Sequence, residues 1–492
     1  MKRRDFVASS LAFAIASVGR RARAAGPADL PILSRTGKQQ ILSGAELSEL
    51  RASLHGSLLR NGDDGYEQAR HIWNGAFDRH PAAIVRCTDA SDIVNAVQFA
   101  ASHDLLVAVR GGGHSLPGHS VCEGGLMIDL APLQGVQLDK AARTVRVEPG
   151  VWLGTMDRAV QKAGFIVPAG TVSHTGVAGL SLGGGIGRLA RKFGLTIDSM
   201  VGADLVTPDG KLRKVNAQEN PDLFWAIRGG GGNFGVVTAF EFKLHELRAD
   251  VFAGDIVFPL GEARGVLDFI AGHAERAPDE LWMDPVLECD AAGVRTLMLN
   301  VCHCGTARAA HKDIEPLRKA GTPVRDTVRA RPFVAAQSDH DDDSPRGRGY
   351  YMNGAGVLKL EPALLDHAVR GIQEPGAELG KISLTQTGGA ISRVPSDATA
   401  FANRSAPFNV VVRASWEDPG HAAGRTAWQK ATWKGFEPFA RGIYANLNLA
   451  DADPKLIAAY GLNMKRLVDL KTQYDPTNLF HLNPNIPPRG NS

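Results

Sequence analysis

One histidine directly follows a run of three glycines, and this pairing is the strongest chemical signal in the sequence. The glycines are Gly111 to Gly113, the histidine is His114, and both follow an apolar stretch, residues 105–109, typical of a buried strand. Glycine permits a positive φ and lets a backbone approach a ligand closely. Successive backbone N–H groups in such a loop form a concavity that suits phosphate. The segment therefore predicts a loop around a phosphate-bearing molecule, with an imidazole at its mouth.

Two more glycine clusters lie further along the chain, at residues 183–187 and 229–232. The first of them, Gly183-Gly-Gly-Ile-Gly-Arg188, does not fit the G-x-G-x-x-G fingerprint of a dinucleotide-binding helix, and the sequence contains no P-loop Gly-Lys-Ser/Thr. Together with the first cluster they indicate one extended, phosphate-bearing cofactor on an architecture other than a Rossmann fold.

The clusters belong to longer motifs in a fixed order. The chain carries Val109-Arg-Gly-Gly-Gly-His-Ser115, the stretch from Pro168 to Gly187, Gly230-Gly-Gly-Asn-Phe-Gly-Val-Val237, and a tail from Tyr460-Gly-Leu-Asn-Met464 to Asn483-Pro-Asn-Ile-Pro487. In these motifs it resembles the FAD-linked oxidases of the p-cresol methylhydroxylase/vanillyl-alcohol oxidase type, within the berberine-bridge-enzyme-like subgroup, and in particular bacterial, secreted members. The resemblance covers residues 66–487.

The resemblance implies an α+β fold. A two-subdomain FAD-binding domain of the p-cresol methylhydroxylase type would join an α+β substrate domain whose antiparallel sheet covers the flavin. Along the chain we expect a twin-arginine signal peptide (1–25), a helical segment of the FAD domain (26–79), the FAD-binding domain (80–247), the substrate-binding domain (248–440) and a C-terminal segment that returns to the FAD domain (441–492).

The resemblance also implies how FAD is held. In this family the histidine after the glycines is bonded through a ring nitrogen to the flavin 8α carbon, and here that residue is His114. Many relatives form a second link through a Gly-Thr-Cys segment, but this chain has Gly170-Thr-Val172, and Val172 cannot form a thioether. We therefore expect FAD with a single covalent link, and no metal. The other cofactor contacts implied by the resemblance are Arg110, Gly111, Gly112, Gly113, Ser115, Gly170, Thr171, Thr175, Gly176, Gly179, Gly183, Gly184, Gly185, Gly187, Gly235, Val237, Asn446, Asn483 and Asn485.

Tyr444 is the candidate catalytic residue. Tyr444-Ala-Asn446 resembles the family's Tyr-x-Asn sequence, which lies on a strand beside the flavin. Tyr444 would act as the base or as a hydrogen-bonding group for the substrate. A tyrosine base needs a pKa below its ordinary value of about 10, or a relay; a hydrogen-bonded core tyrosine is the alternative. Residues 350–353 resemble a Tyr-Tyr-Trp-Lys segment with the last two residues changed. Gln386 and Arg393 are weaker pocket candidates.

The N-terminus has the layout of an export signal. Lys2-Arg-Arg-Asp-Phe6 precedes an apolar run to Val18 and then Ala22-Arg-Ala-Ala25, and the paired arginines are typical of a twin-arginine signal. The apolar run is too short to span a bilayer, so we expect a periplasmic or secreted protein without a membrane anchor. Removing residues 1–24 changes the formal net charge from +3 to about −2, which predicts no nucleic-acid partner.

Two other clusters invite a metal-site interpretation. Cys302-His-Cys304 lacks the spacing of zinc ligands and lies in an alternating run, which favours buried strand cysteines. Because the number of cysteines is five, at least one is free unless it bridges two chains. A disulfide between two of the others is an alternative that the sequence leaves undecided. The acids of residues 338–345 are expected to form a solvated loop, with a metallohydrolase built on residues 341–343 as a remote alternative.

These observations predict a flavoprotein oxidoreductase. It would oxidise a small alcohol, amine or sugar by hydride transfer to flavin N5 and pass the electrons to oxygen or another acceptor, with a sugar as the favoured substrate. Two alternatives stay open: a tailoring oxidase of a secondary metabolite, and a catalytically silent flavin-containing binding protein, because a fold alone does not establish turnover.

Overall fold

A computed structural model describes residues 28–448 and 460–490 of the chain. The expected signal peptide, residues 1–25, lies outside the described residues. None of the helices in the described part is long and apolar enough to cross a membrane.

The segment that precedes the FAD domain mixes strands and helices. Its elements are β1 (Leu30–Leu33), β2 (Gln39–Leu42), α1 (Gly44–Ser53), β3 (Ser57–Leu59) and α2 (Tyr66–Arg70). Strands β1 and β2 pair in an antiparallel hairpin, and α1 begins at a capping box formed by Ser43 and Glu46. This differs from the helical segment expected over residues 26–79. The strands have three or four residues each, so their alternation does not stand out from a polar background.

Two sheets form the next part of the chain. Its elements are β4 (Ala83–Arg86), α3 (Ala90–Ser102), β5 (Val107–Arg110), β6 (Leu126–Asp129), β7 (Val136–Asp139), β8 (Thr144–Val147), α4 (Leu153–Gln161), β9 (Phe165–Ile166), α5 (Val177–Gly183), α6 (Ala190–Phe193), α7 (Thr196–Ser199), β10 (Met200–Val206), β11 (Leu212–Asn216), α8 (Pro221–Ile227), β12 (Val236–Lys243) and β13 (His245–Glu246). One sheet has the strand order β3-β4-β6-β5 and the other β11-β10-β12-β8-β7. The first two glycine clusters follow β5 and end α5.

One antiparallel sheet dominates the remaining described residues, in which it has nine strands. Its elements are β14 (Val251–Pro259), α9 (Ala263–Ala274), β15 (Leu281–Cys289), β16 (Arg295–His303), α10 (Ala307–Arg318), β17 (Arg325–Asp326), β18 (Arg329–Arg331), α11 (Phe333–Gln337), β19 (Gly349–Val357), α12 (Pro362–Gly371), β20 (Lys381–Gln386), α13 (Ala390–Arg393), β21 (Phe408–Trp416), α14 (Ala422–Phe436) and β22 (Ala440–Ile443). The predicted α+β class is confirmed.

Side chains alternate between the two faces of this sheet, as the two-residue period of a strand requires. On one face, Met283, Leu299 and Val412 pack with helices α9, α10, α12 and α14 in an apolar core. On the other face, Trp282 and Asn300 line a cavity shared with the glycine loops. The sheet is therefore one wall of the candidate site.

A buried ion pair fastens the last helix, α15 (Met464–Tyr474), to the third glycine cluster. The Lys471 ammonium donates hydrogen bonds to Asp475 Oδ2 at 2.7 Å, to the Asn233 carbonyl at 2.8 Å and to the Phe480 carbonyl at 3.1 Å. Both charged side chains are fully buried. The tail thus contacts the domain that carries the glycine clusters.

Lys471→Ala is expected to lower the free energy of unfolding by about 3–5 kcal/mol, because it leaves the Asp475 carboxylate buried without its counter-charge. Urea unfolding midpoints of the wild type and the variant measure the loss. Lys465→Ala is the matched control, because Lys465 is exposed on the same helix. Equal midpoints for the two variants would contradict this account of the tail.

Candidate functional site

A cavity of about 480 Å³ lies between the glycine loops and the open face of the nine-stranded sheet. All three glycine clusters contribute to its lining, together with His114 and Tyr444. The fold therefore brings together, around one cavity, motif residues that are far apart in the sequence.

The glycine loops meet backbone to backbone. A Cβ atom at Gly112 would lie 2.3 Å from the Cα of Gly176, and a Cβ at Gly187 would lie 1.7 Å from the Ala169 carbonyl oxygen. A Cβ at Gly183 would overlap the Asn446 amide group. Real side chains do not tolerate such distances, so these positions require glycine. The result is a cradle whose surface is backbone, which lets an extended ligand approach N–H groups closely.

His114 stands at this cradle in a stack of three rings. Its imidazole lies 4.2 Å from the Trp73 ring, and Trp73 lies 3.8 Å from the Tyr350 ring, both nearly parallel. Burial, helped by the charges of His174 and Arg346, lowers the pKa of His114 to about 3. Its Nε2 has no hydrogen-bond partner among the described residues. The ring is thus neutral, fixed in orientation and available for bonding.

Most of the predicted cofactor residues line this cavity. They are Gly111, Gly112, Gly113, His114, Ser115, Gly170, Thr171, Thr175, Gly176, Gly179, Gly183, Gly187, Gly235, Val237, Asn446 and Asn483. Val172 and the Tyr444 ring also line it.

Four predicted cofactor residues do not line the cavity: Arg110, Gly184, Gly185 and Asn485. The Arg110 guanidinium donates to the buried Asp129 carboxylate at 2.8 Å, since the two residues stand side by side on parallel strands β5 and β6. Asn485 is exposed. A motif places neighbouring residues near the site but does not say which of them turn away from it.

Tyr444 is buried at the cavity wall and accepts two hydrogen bonds. Its hydroxyl oxygen accepts from the Gly185 N–H at 3.0 Å and from the Asn446 amide at 3.1 Å. Burial raises the pKa of Tyr444 above its ordinary value, which is the opposite of what a base requires. The contacts suit a hydrogen-bonding and positioning role.

The other predicted pocket residues have mixed locations. Gln386 is buried and donates to the Ala274 carbonyl, and Arg393 pairs with Asp279. Neither lines the cavity, so both have structural contacts and not a pocket position; the helix that bears Arg393 lies beyond the end of β20. Of residues 350–353, Met352 lines the cavity and Tyr350 supports the ring stack.

The sheet face carries polar groups that the motifs did not indicate. Facing the cavity are Asp284 and Asn300, Lys381, Ser383 and Thr385, and Asn409 and Arg413. Arg188 adds a buried guanidinium, bonded to the Thr171 carbonyl and to Gln337 rather than to an acid. The available signal was Asp284 itself, a single acid inside the apolar run Leu281-Trp-Met-Asp-Pro-Val-Leu287.

Part of the acidic segment 338–345 lines the cavity instead of lying in solvent. Asp341 accepts hydrogen bonds from both the backbone N–H and the hydroxyl of Ser173, which ties the segment to the second glycine motif. His340 and Asp343 line the cavity. The expectation of a solvated loop is therefore correct for Ser338, Asp339 and Asp342, which are exposed, but wrong for Asp341 and Asp343. Asp341 pairs with Ser173 and Asp343 with Lys381, and a local charge run does not reveal such distant partners.

His340 is held between two carboxylates. Its Nδ1 lies 3.0 Å from Asp343 Oδ2, and its Nε2 lies 3.2 Å from Asp255 Oδ1. Burial and the nearby Arg188 charge oppose ionisation, but the two carboxylates outweigh them and raise the pKa of His340 to about 9. An imidazolium therefore clamps the segment 338–345 to the sheet at neutral pH.

The cysteines form no cluster. Cys302 is buried in β16, and His303 beside it lies 3.1 Å from an Asp313 oxygen. All five cysteines are described, and each is unpaired.

Comparisons with known proteins agree with this geometry. Residues 81–216 match the FAD binding domain model, and residues 444–487 match the berberine and berberine-like model. An FAD-linked oxidoreductase of Dictyostelium discoideum is 32% identical over 447 residues, which is 90% of this chain and 97% of that protein. (R)-6-hydroxynicotine oxidase of Paenarthrobacter nicotinovorans is 28% identical over 89% of this chain and 98% of that protein. A solved chitooligosaccharide oxidase superimposes with a TM-score of 0.79 at 25% identity, covering 91% of this chain and all of that one.

The His340 clamp is expected to make stability fall as the solution becomes alkaline. The pKa of His340 is about 9 in the folded chain against about 6.5 for a free histidine, so its contribution is complete below about pH 6.5 and is lost as pH rises through about 9. Urea midpoints on both sides of that window should fall more in the wild type than in His340→Gln. His311→Gln, at an exposed histidine, should follow the wild type. Parallel wild-type and His340→Gln curves would contradict the clamp.

Proposed function

Because this chain belongs to the FAD-linked oxidoreductases that carry a berberine-like C-terminal segment, we propose that it binds FAD through one covalent bond at His114 and oxidises a small alcohol, amine or sugar. One relative is named as an FAD-linked oxidoreductase and another as an oxidase. The covalent bond, the substrate class and export are the parts that we propose.

The residues of the cavity fit FAD. The backbone cradle at Gly112, Gly176 and Gly187 leaves room for the extended pyrophosphate portion, and its N–H groups are the donors that phosphate oxygens accept. Bound FAD would supply a two-electron acceptor beside the sheet face, and the protein would supply orientation and electrostatics.

The observation that carries the covalent proposal is the state of His114. Its imidazole is neutral at any physiological pH, is held flat against Trp73, and has an unbonded buried nitrogen. A neutral ring offers the lone pair that a bond to carbon requires. Val172, at the cavity wall, offers no sulfur for a second bond.

The substrate would lie between the cradle and the sheet. Hydroxyl and amide side chains such as Ser383, Thr385 and Asn409 line that wall, and they suit a substrate with several hydroxyl groups. One relative is named for 6-hydroxynicotine and one neighbour for a chitooligosaccharide, so amines and sugars are both represented. The density of hydroxyl and amide groups favours a sugar. Tyr444 would position the cofactor or the substrate by hydrogen bonding.

We also propose export to the periplasm or beyond, on the strength of the twin-arginine pattern in residues 1–25. Oxygen or another acceptor would take the electrons. We propose neither a nucleic-acid partner nor a membrane anchor.

Acid precipitation tests the covalent bond. Wild-type protein should keep its yellow colour in the pellet, whereas His114→Ala should release it or bind none. His174→Ala is the control, because that imidazole ring lies only 5.3 Å from the His114 ring. Its pellet should stay yellow. Release of colour from the wild type would refute the bond, and loss only in His174→Ala would move it to His174.

A substrate screen tests the activity. Oxygen-free protein is mixed with sugars and oligosaccharides, primary alcohols and cyclic amines, and flavin absorbance is followed. Bleaching by the first group supports a sugar oxidase. Bleaching only by a polycyclic natural product would indicate a tailoring oxidase, and stoichiometric flavin that no compound bleaches would indicate a binding protein.

A further inference from the structure

We propose that Asp284 is the catalytic base of this site, and that its carboxylate accepts the proton that a substrate hydroxyl or amine loses as the adjacent carbon is oxidised. The inference rests on the function proposed above and deepens it. It gives Asp284 the proton-accepting role for which sequence motifs had favoured Tyr444.

Asp284 stands in the middle of the wall that faces the glycine cradle. It lies on β15, with Trp282 and Val286 on the same cavity-lining face. Strand β15 lies between β16 and β20. Asn300 of β16 is the register partner of Asp284, and Ser383 and Thr385 belong to β20 on the other side. A ligand lying between the two walls would therefore meet this carboxylate.

One carboxylate oxygen is fixed and the other is open. Asp284 Oδ1 accepts hydrogen bonds from the Ser383 hydroxyl at 2.5 Å and the Thr385 hydroxyl at 2.9 Å. No described residue donates to Oδ2. Two neutral donors thus orient the group without neutralising it, and Oδ2 remains for the proton of a substrate.

Three other titratable groups of the cavity are not available as a base. The Asp343 carboxylate is paired with His340 and with Lys381 at 2.8 Å, and these cations outweigh burial and hold the pKa of Asp343 well below its usual range. His340 is an imidazolium with both nitrogens engaged. The Tyr444 hydroxyl has a raised pKa. None of these three groups is a free base at neutral pH.

Burial also brings Asp284 closer to the pH at which a base works best. It raises the pKa of Asp284 above the ordinary aspartate value, against the two hydroxyl donors and the positive charges of Arg188 and His340. A base is most effective when its pKa approaches the working pH. Lys381 and Arg413 are the other cations on this face of the sheet.

In this step the O–H or N–H bond of the substrate would break and its proton would pass to Asp284 Oδ2. The neighbouring C–H bond would break, and its hydrogen would leave with the bonding electron pair, for which bound FAD would be the two-electron acceptor. The C–O or C–N single bond becomes double, and the proton on Asp284 passes to solvent before the next turnover.

Asp284→Asn separates this role from a structural one, because the amide keeps the shape of the side chain and loses the proton acceptor. With whichever compound bleaches the wild type, the variant should reduce its flavin about 10²–10⁴-fold more slowly, the usual contribution of a general base. Asp268→Asn is the matched control: Asp268 is half exposed, is paired with Arg264 on α9, and lies outside the cavity. An unchanged rate in Asp284→Asn would overturn the proposal.

A titration without substrate provides a second readout. Flavin absorbance of the wild type followed against pH should show a step at the ionisation of Asp284, separate from that of His340, and Asp284→Asn should lack the Asp284 step. Ser383→Ala should move the step to higher pH, because the ionised carboxylate loses a donor. If the wild type and Asp284→Asn show the same pH-dependent step in flavin absorbance, the proposal is overturned, even if substrate reduces the flavin of every variant.

The two proposals fail in different ways. If no compound bleaches the wild type, the oxidase function fails, while the step and its loss in Asp284→Asn would still place an ionising Asp284 beside the flavin. If the wild type and Asp284→Asn bleach equally fast, the function stands and another group is the base.

Discussion

The stack of Tyr350 on Trp73 and of Trp73 on His114 is the contact on which the rest of the site depends. Tyr350 belongs to the nine-stranded sheet, Trp73 to the segment before the FAD domain, and His114 to the first glycine loop. The Trp73 indole donates to the Ser344 carbonyl at 2.8 Å, and the Trp73 N–H donates to the Gly113 carbonyl at 2.7 Å. The same contacts that hold the imidazole flat therefore join the two walls of the cavity.

The two walls divide the chemistry between them. The glycine wall presents backbone and excludes side chains at Gly112, Gly176 and Gly187, so it can hold a large ligand by shape and by N–H groups. The sheet wall carries the charges, and burial together with pairing sets each pKa: high for His340, low for Asp343, raised for Asp284. A site in which neighbouring groups are driven to opposite protonation states is suited to proton transfer.

The sequence predicted what is local. The glycine loop and His114 follow one another in the chain, and the α+β class follows from the order of the motifs; the predicted class agrees with the structure. The partners of these groups could not be predicted. Ser173 meets Asp341 and Asp284 meets Ser383 only because strand register and the packing of two domains bring together residues about a hundred or more positions apart. Arg110 illustrates the opposite error: motif membership suggested a ligand contact, but its strand neighbour Asp129 holds it.

The mass of the denatured protein shows whether one FAD is attached at one residue. We expect a single species heavier than the mature chain by one FAD, with the added mass on the proteolytic peptide that contains His114. An unmodified mass, or an added mass on a peptide without His114, would contradict it.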